Sequence, residues 1–245
     1  MRLAAIRPAL LVFLLAIAAP AHVCGAASLA DFNTAVEEAA THNRVALGYL
    51  RTGNTDLATL ELERLRGAWA TVVGTFGNDR PDAFAADLYA TTLTDIGTRL
   101  ATADMMLSSG RAEAAETALA GVRDALSNLR RTSGVTVLAD CVLESNGAMA
   151  ALGALDHPTS TSPWPPELAA DMAAKAQAYR GVVQRCDGMA APDVKANPEF
   201  RRLIDGIFAS LALIPKAVET RDADLFHRIV IELRAFDNLL AFRFG

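Results

Sequence analysis

The sequence predicts an all-α protein built as two tandem up-and-down four-helix bundles, and three observations predict it. Alanine and leucine dominate while β-branched runs are scarce. Apolar residues recur at helical spacing between breaks marked by glycine and proline. The chain also repeats itself. Ala46, Leu47, Gly48, Tyr49 and Leu50 return as Ala151, Leu152, Gly153, Ala154 and Leu155, a shift of 105, and Asn43 finds a partner in Asn146 with a two-residue slip. After a five-residue insertion Ala68, Trp69, Val72 and Val73 answer to Ala178, Tyr179, Val182 and Val183, now at a shift of 110. Leu93, Asp95, Arg111, Asn128 and Leu129 keep that register with Leu203, Asp205, Arg221, Asn238 and Leu239. A repeat this long is a domain and not a solenoid unit.

Residues 1–27 read as a secretory signal peptide. Arg2 and Arg7 precede an apolar run from Ala9 to Ala19, and Ala19, Pro20 and Ala21 form a small-residue cleavage site, with a second after Ala27. The run is too short for a membrane span, so the mature chain is expected in the periplasm with no transmembrane segment. Cys24 raises the alternative of a lipoprotein, although His22 and Val23 ahead of it are not the small residues such a site prefers.

The first bundle is assigned to residues 28–131. Its first helix is expected over about 28–52, capped by Ser28 and ended by Gly53. Asn54 or Thr55 caps a second, whose apolar positions include Leu57, Leu60, Leu65, Ala68, Trp69, Val72 and Phe76 before Gly77, Asn78 and Pro81 break it. A third runs from about Asp82 to Ser109, and a fourth carries Ala115, Leu119, Val122, Leu126 and Leu129 along one stripe. Residues 130–137, with Thr132, Ser133 and Gly134, form the expected joint.

The second bundle is assigned to residues 138–245. Its helices are expected at about 138–155, 167–186, 198–220 and 223–244, and a Pro/Ser/Thr loop from His157 to Pro166 supplies the insertion. Pro215 falls inside the third of these, where it removes a backbone hydrogen bond near Leu211 and either opens a cavity or merely bends the helix around its neighbour. Leu225, Ile229, Leu233, Phe236 and Leu240 form the stripe of the last helix. The tail of Leu239, Leu240, Phe242 and Phe244 is apolar enough for packing within the bundle, an interdomain contact or a homodimer.

Cys141 and Cys186 project onto Val36 and Phe76 of the first copy, positions that antiparallel neighbours bring together. A disulfide is expected between them, as export to an oxidising compartment allows, with two buried free thiols as the alternative. Loss of Arg2 and Arg7 with the leader takes 23 basic residues to 21 against 28 acidic ones, a formal charge of −7. A mildly acidic chain without a basic, aromatic-interleaved patch is a poor nucleic-acid binder.

Residues able to carry chemistry are few. His22 belongs to the leader or its flank, and His157 precedes Pro158 in the inserted loop. His42 follows Glu37 and Glu38 on the first helix, where His42 with Glu38 would make a weak metal site; no pair of histidines has a metal-ligand spacing. Gly-x-Ser-x-Gly, Ser-x-x-Lys, a phosphate-cradling glycine loop and a dinucleotide fingerprint are all missing from the sequence. Neither Cys141 nor Cys186 stands beside a histidine in sequence. An enzyme is disfavoured.

In helix number and length each unit resembles the cytochrome c-prime and cytochrome b562 family of exported four-helix bundles. Covalent haem in that family uses Cys-x-x-Cys-His on the last helix, where this chain has Ser127, Asn128, Leu129 in one copy and Asp237, Asn238, Leu239 in the other. The resemblance therefore implies at most non-covalent haem b, held by Met149 and His227 in the second bundle; the first copy has no such pair. Leu47, Gly48 and Tyr49 with Gly53 and Ala58, and Gly110 with Ala115 and Leu119, also look like tetratricopeptide hairpins, but the helices are too long and the period is wrong.

The sequence thus reads as an exported, non-catalytic, cofactor-free helical-bundle protein that binds a periplasmic protein or a small ligand. The alternative is a haem b electron carrier.

Overall fold

The computed structural model describes residues 28–156 and 165–245. The expected signal peptide, with Cys24 and His22, and most of the expected inserted loop, with His157, lie outside the described residues. Within them the chain is all-α, and no helix is long and apolar enough to cross a membrane.

Helices α1 (Leu29–Arg51), α2 (Thr55–Phe76), α3 (Ala86–Ser108) and α4 (Ala112–Thr132) come first. Tight turns fold α1 onto α2 and α3 onto α4, a longer link over 77–85 joins the pairs, and α4 closes against α1. The turns follow from local chemistry. Ser28 Oγ accepts from the Ala30 and Asp31 amides at 3.2 and 3.3 Å, Asn54 Oδ1 accepts from Leu57 N at 3.2 Å, and Gly53, Gly110 and Gly134 adopt the positive φ values (77°, 72° and 69°) that end their helices. The expected stripe of α4 is buried throughout. On α2 the buried face is instead Ala58, Leu62, Leu65, Trp69, Val72 and Phe76; Leu57 and Leu60 project to solvent because they fall outside the arc that a 3.6-residue period sets for the others.

The expected start of α3 at Asp82 is corrected to Ala86. Residues 82–85 form a turn because Phe84 dives into the core, its ring 5.4 Å from Phe32 and 5.6 Å from Tyr89. The Tyr89 hydroxyl then closes this end of the unit by donating to Phe76 O at 3.1 Å. Burial, only partly opposed by Arg80, pushes its pKa up to about 12.

The second core lies among α5 (Leu138–Gly153), α6 (Pro166–Met189), α7 (Pro192–Ala196), α8 (Pro198–Leu211), α9 (Ile214–Thr220) and α10 (Ala223–Phe244). Here α5 pairs with α6, α6 with α8 and α9, and α10 returns against α8, α9 and α5. The single helix expected over 198–220 is broken in two. Pro215 sits in the first turn of α9, where it needs no helical partner for its nitrogen, and a cavity of about 450 Å³ opens beside Leu211, Ile214 and Pro215 against Ala173, Gln177 and Arg180 of α6. Helix α7 was not expected; Pro192 and Pro198 punctuate it on both sides. Cys141 and Cys186 stand at disulfide distance, Sγ–Sγ 2.13 Å and Cα–Cα 5.5 Å, tying α5 to the far end of α6. Their projected counterparts occupy a like place: the Phe76 ring lies 5.6 Å from Phe32, one turn from Val36.

The joint is shorter than expected. Arg130 belongs to α4, is 5 % exposed, and grips Asp140 of α5 with two hydrogen bonds of 2.7 Å. The apolar tail divides: Leu240 is core, Phe244 packs edge-on against Phe200 at 5.1 Å, and Phe242, half exposed, lies over Gly48 of α1. The tail therefore reaches the first unit as well as its own.

Candidate functional site

The first and second units meet along α1, α4, α5 and α10, and their facing polar residues are unlike the rest of the surface. Asp237 of α10, 4 % exposed, occupies a core position between Leu233 and Leu240. Its carboxylate accepts from Ser145 Oγ at 2.8 Å, Asn146 Nδ2 at 2.7 Å and Tyr179 Oη at 3.1 Å. Burial raises the Asp237 pKa above the ordinary carboxylate value, opposed by those three hydrogen bonds and by the Arg123 charge. Burial, together with the neighbouring Asp237 charge, raises the Tyr179 pKa as well, so its phenol stays a donor.

Asn146 passes the network on to the first unit. Its Oδ1 accepts from Arg123 Nη1 of α4 at 3.0 Å, while Arg123 Nη2 donates to Ala139 O at 3.4 Å. Both acceptors are neutral, and among the described residues no carboxylate stands within ion-pair distance of this guanidinium. Burial and then the nearby Arg44 charge lower its pKa, a direction that records the cost of keeping it cationic there. Arg44 donates through Nη1 to a main-chain oxygen of Gly245, the last residue described, and through Nη2 to Glu37 at 2.7 Å and Thr41 at 3.0 Å.

Two cavities flank this pair of arginines. One, of about 550 Å³, runs between α1, α4, the start of α5 and the chain end, with walls that include Val36, Ala40, Val122, Leu126, Leu138 and Phe244. The other, of about 390 Å³, lies between α1, α5 and α10 and reaches Met149 and Asp237. Asn43, Arg44 and Arg123 line both. Six buried side-chain polar atoms lack a partner among the described residues, and four of them (Asn33 Oδ1, Asn43 Oδ1, Arg44 Nε and Arg123 Nε) belong to residues lining the larger cavity. Each unmade buried hydrogen bond costs about 1–3 kcal/mol, so this seam is held at some expense of stability.

The residues singled out from sequence are placed elsewhere. His42 Nδ1 bonds Glu61 Oε2 of α2 at 2.8 Å, and Glu61 also holds Arg64 at 2.6 Å, whereas Glu38 is exposed. No group of three metal-ligating side chains occurs among the described residues. Met149 is 2 % exposed within the second core and reaches the smaller cavity. His227 Nδ1 meets the Asp156 carboxylate at 2.9 and 3.0 Å, just beyond the end of α5. Met149 thus packs within α5, while His227 is held at the residue that follows its end.

Sequence reasoning missed Arg44, Arg123, Asn146 and Asp237 as a set. One signal was present: Asp237 interrupts an apolar stripe at a position whose neighbours in the helical period are Leu233 and Leu240. Fold and site together define an all-α helical protein with a cleft between two cores whose walls are mostly apolar with a few polar groups. No family model, curated protein or solved structure matches the chain.

Proposed function

We propose that this chain is an exported, non-catalytic binding protein that takes a small ligand in the larger cavity between its two helical units. The observation that carries the reading is the cavity itself, enclosed between the two units with apolar walls and the Asn43, Arg44 and Arg123 side chains at its rim. Its volume, about 550 Å³, is in the range of small-molecule sites, and its lining follows their usual plan of apolar walls with a few placed polar groups. The leader-like first 27 residues and the Cys141–Cys186 pair support export to an oxidising compartment. Helical units related by an old duplication would account for the repeated sequence and for a binding cleft at the seam.

The test is a thermal-shift screen of the mature protein against anionic, neutral and cationic amphiphiles and polar metabolites, repeated on Ala40→Phe, which fills the cavity. Stabilisation by at least one class in the native chain and its loss in Ala40→Phe is the expected result. No stabilisation by any class, or equal stabilisation of both proteins, contradicts the proposal.

A further inference from the structure

The second unit opens a hollow where the first holds an ion pair. At a shift of 110, Ala176 and Ile214 stand where the first unit has Arg66 and Asp104. There Arg66 of α2 meets Asp104 of α3 at 2.8 Å, and α3 runs unbroken past Met105, the counterpart of Pro215. In the second unit two apolar side chains replace the pair, Pro215 begins a new helix, and a cavity of about 450 Å³ lies between α6, the end of α8 and α9. The groove left in the first unit lies toward Trp69, Val73 and Leu93, with Arg66 its only charged residue.

The cavity of the second unit carries one charge of each sign, Arg180 of α6 and Glu219 of α9, and no other charged residue lines it. No ion pair joins the two, and among the described residues the side chains of Gln177 and Glu219 make no hydrogen bond. Arg180 lays its guanidinium over the Phe208 ring at 5.5 Å, which fixes it against α8 while its N–H edge stays free. Gln177 and Glu219 are exposed and Arg180 is half-buried, so a solute reaches all three. The floor between them is apolar, with Ala176, Leu211 and Ile214 buried and Val218 beside them.

A cation and an anion held apart over an apolar floor match a solute that carries both charges on an apolar body. A ligand with one charge would meet a like charge on one wall and leave the other wall unmatched. We infer that this second cavity binds a small zwitterion, an α-amino acid with an aliphatic side chain. Its carboxylate lies on the N–H edge of Arg180, its ammonium on Glu219, and its side chain over Ala176, Leu211 and Ile214. The volume is in the range of small-molecule sites. This site is separate from the seam cavity and does not depend on it. Both polar contacts are charge-assisted, so losing either weakens binding about tenfold or more.

The experiment is calorimetric titration of the mature protein with leucine, with isocaproate, which lacks the ammonium, and with isoamylamine, which lacks the carboxylate. Native protein, Arg180→Met, Glu219→Gln and Ala40→Phe are compared, with helical content checked by circular dichroism. Native protein is expected to bind leucine at least tenfold more tightly than either analogue. Arg180→Met and Glu219→Gln are each expected to weaken leucine at least tenfold, and if one does not fold the other decides. Ala40→Phe, which fills the seam cavity, is expected to leave leucine binding unchanged. No binding of leucine, equal binding of either analogue, or undiminished leucine binding in a folded Arg180 or Glu219 variant overturns the inference. Loss of leucine binding in Ala40→Phe also overturns it, because that places leucine in the seam cavity and supports the reading above instead.

Discussion

Asn146 faces Arg123 and Asp237 at once, accepting from the guanidinium at 3.0 Å and donating to the carboxylate at 2.7 Å. One amide thus couples a cation of the first unit to an anion of the second. Removing it strands a charged group on each side. Asn146→Ala is expected to destabilise the fold by about 2–4 kcal/mol, since hydrogen bonds to charged partners exceed the ordinary value and both partners stay buried. Urea unfolding measures this, and a double-mutant cycle of Arg123→Met with Asp237→Asn should show coupling above about 0.5 kcal/mol.

Asp237 makes stability depend on pH in an unusual direction. Its folded pKa is raised, burial being the largest cause, so the native state holds this proton more tightly than the unfolded chain does. The stability it contributes is fully present below the unfolded carboxylate pKa and is lost as pH rises through the raised folded value. Asp237→Asn has no such proton to lose. The stability of native protein relative to Asp237→Asn should therefore fall as pH is raised from about 4 toward neutrality. A difference that grows with pH would show that hydrogen bonding, and not burial, governs the carboxyl.

Cys141 and Cys186 close a loop with a sequence separation of 45. On the chain-entropy view such a link stabilises by about 4 kcal/mol, less where the native geometry resists it. Reduction, or Cys141→Ser with Cys186→Ser, should lower the urea midpoint by a corresponding amount. Unchanged unfolding with and without reductant would mean that the two thiols are free in solution.

Gly206 of α8 lies under the Phe236 ring of α10; a Cβ there would stand 2.5 Å from the ring carbon Cζ. Gly206→Ala gains helix propensity but drives the ring off α8, so it should destabilise by about 1–3 kcal/mol, while Gly206→Ala with Phe236→Leu recovers much of the loss. Thermal unfolding of the two variants checks the pair. A stabilised single variant would show that the ring moves freely.

These residues also show what the sequence could disclose. Ser28, Asn54, Gly53 and Gly110 act through their own neighbours, so their caps and turns were legible, and the stripe of α4 needed only the helical period. The Cys141–Cys186 pairing was legible because it links consecutive antiparallel helices. Phe84 was not, because its insertion beside Phe32 is decided by the tertiary core, which overrides the helical pattern around it. The cleft was least visible. Arg44 and Arg123 read as ordinary surface cations on α1 and α4, and only the approach of α5 and α10 turns that surface into a wall.

The central claim is that this cleft is a ligand site, and the thermal-shift screen of native protein beside Ala40→Phe tests it most directly. The account predicts stabilisation of native protein by at least one ligand class and its loss in Ala40→Phe. No stabilisation by any class, or equal stabilisation of both proteins, would contradict it.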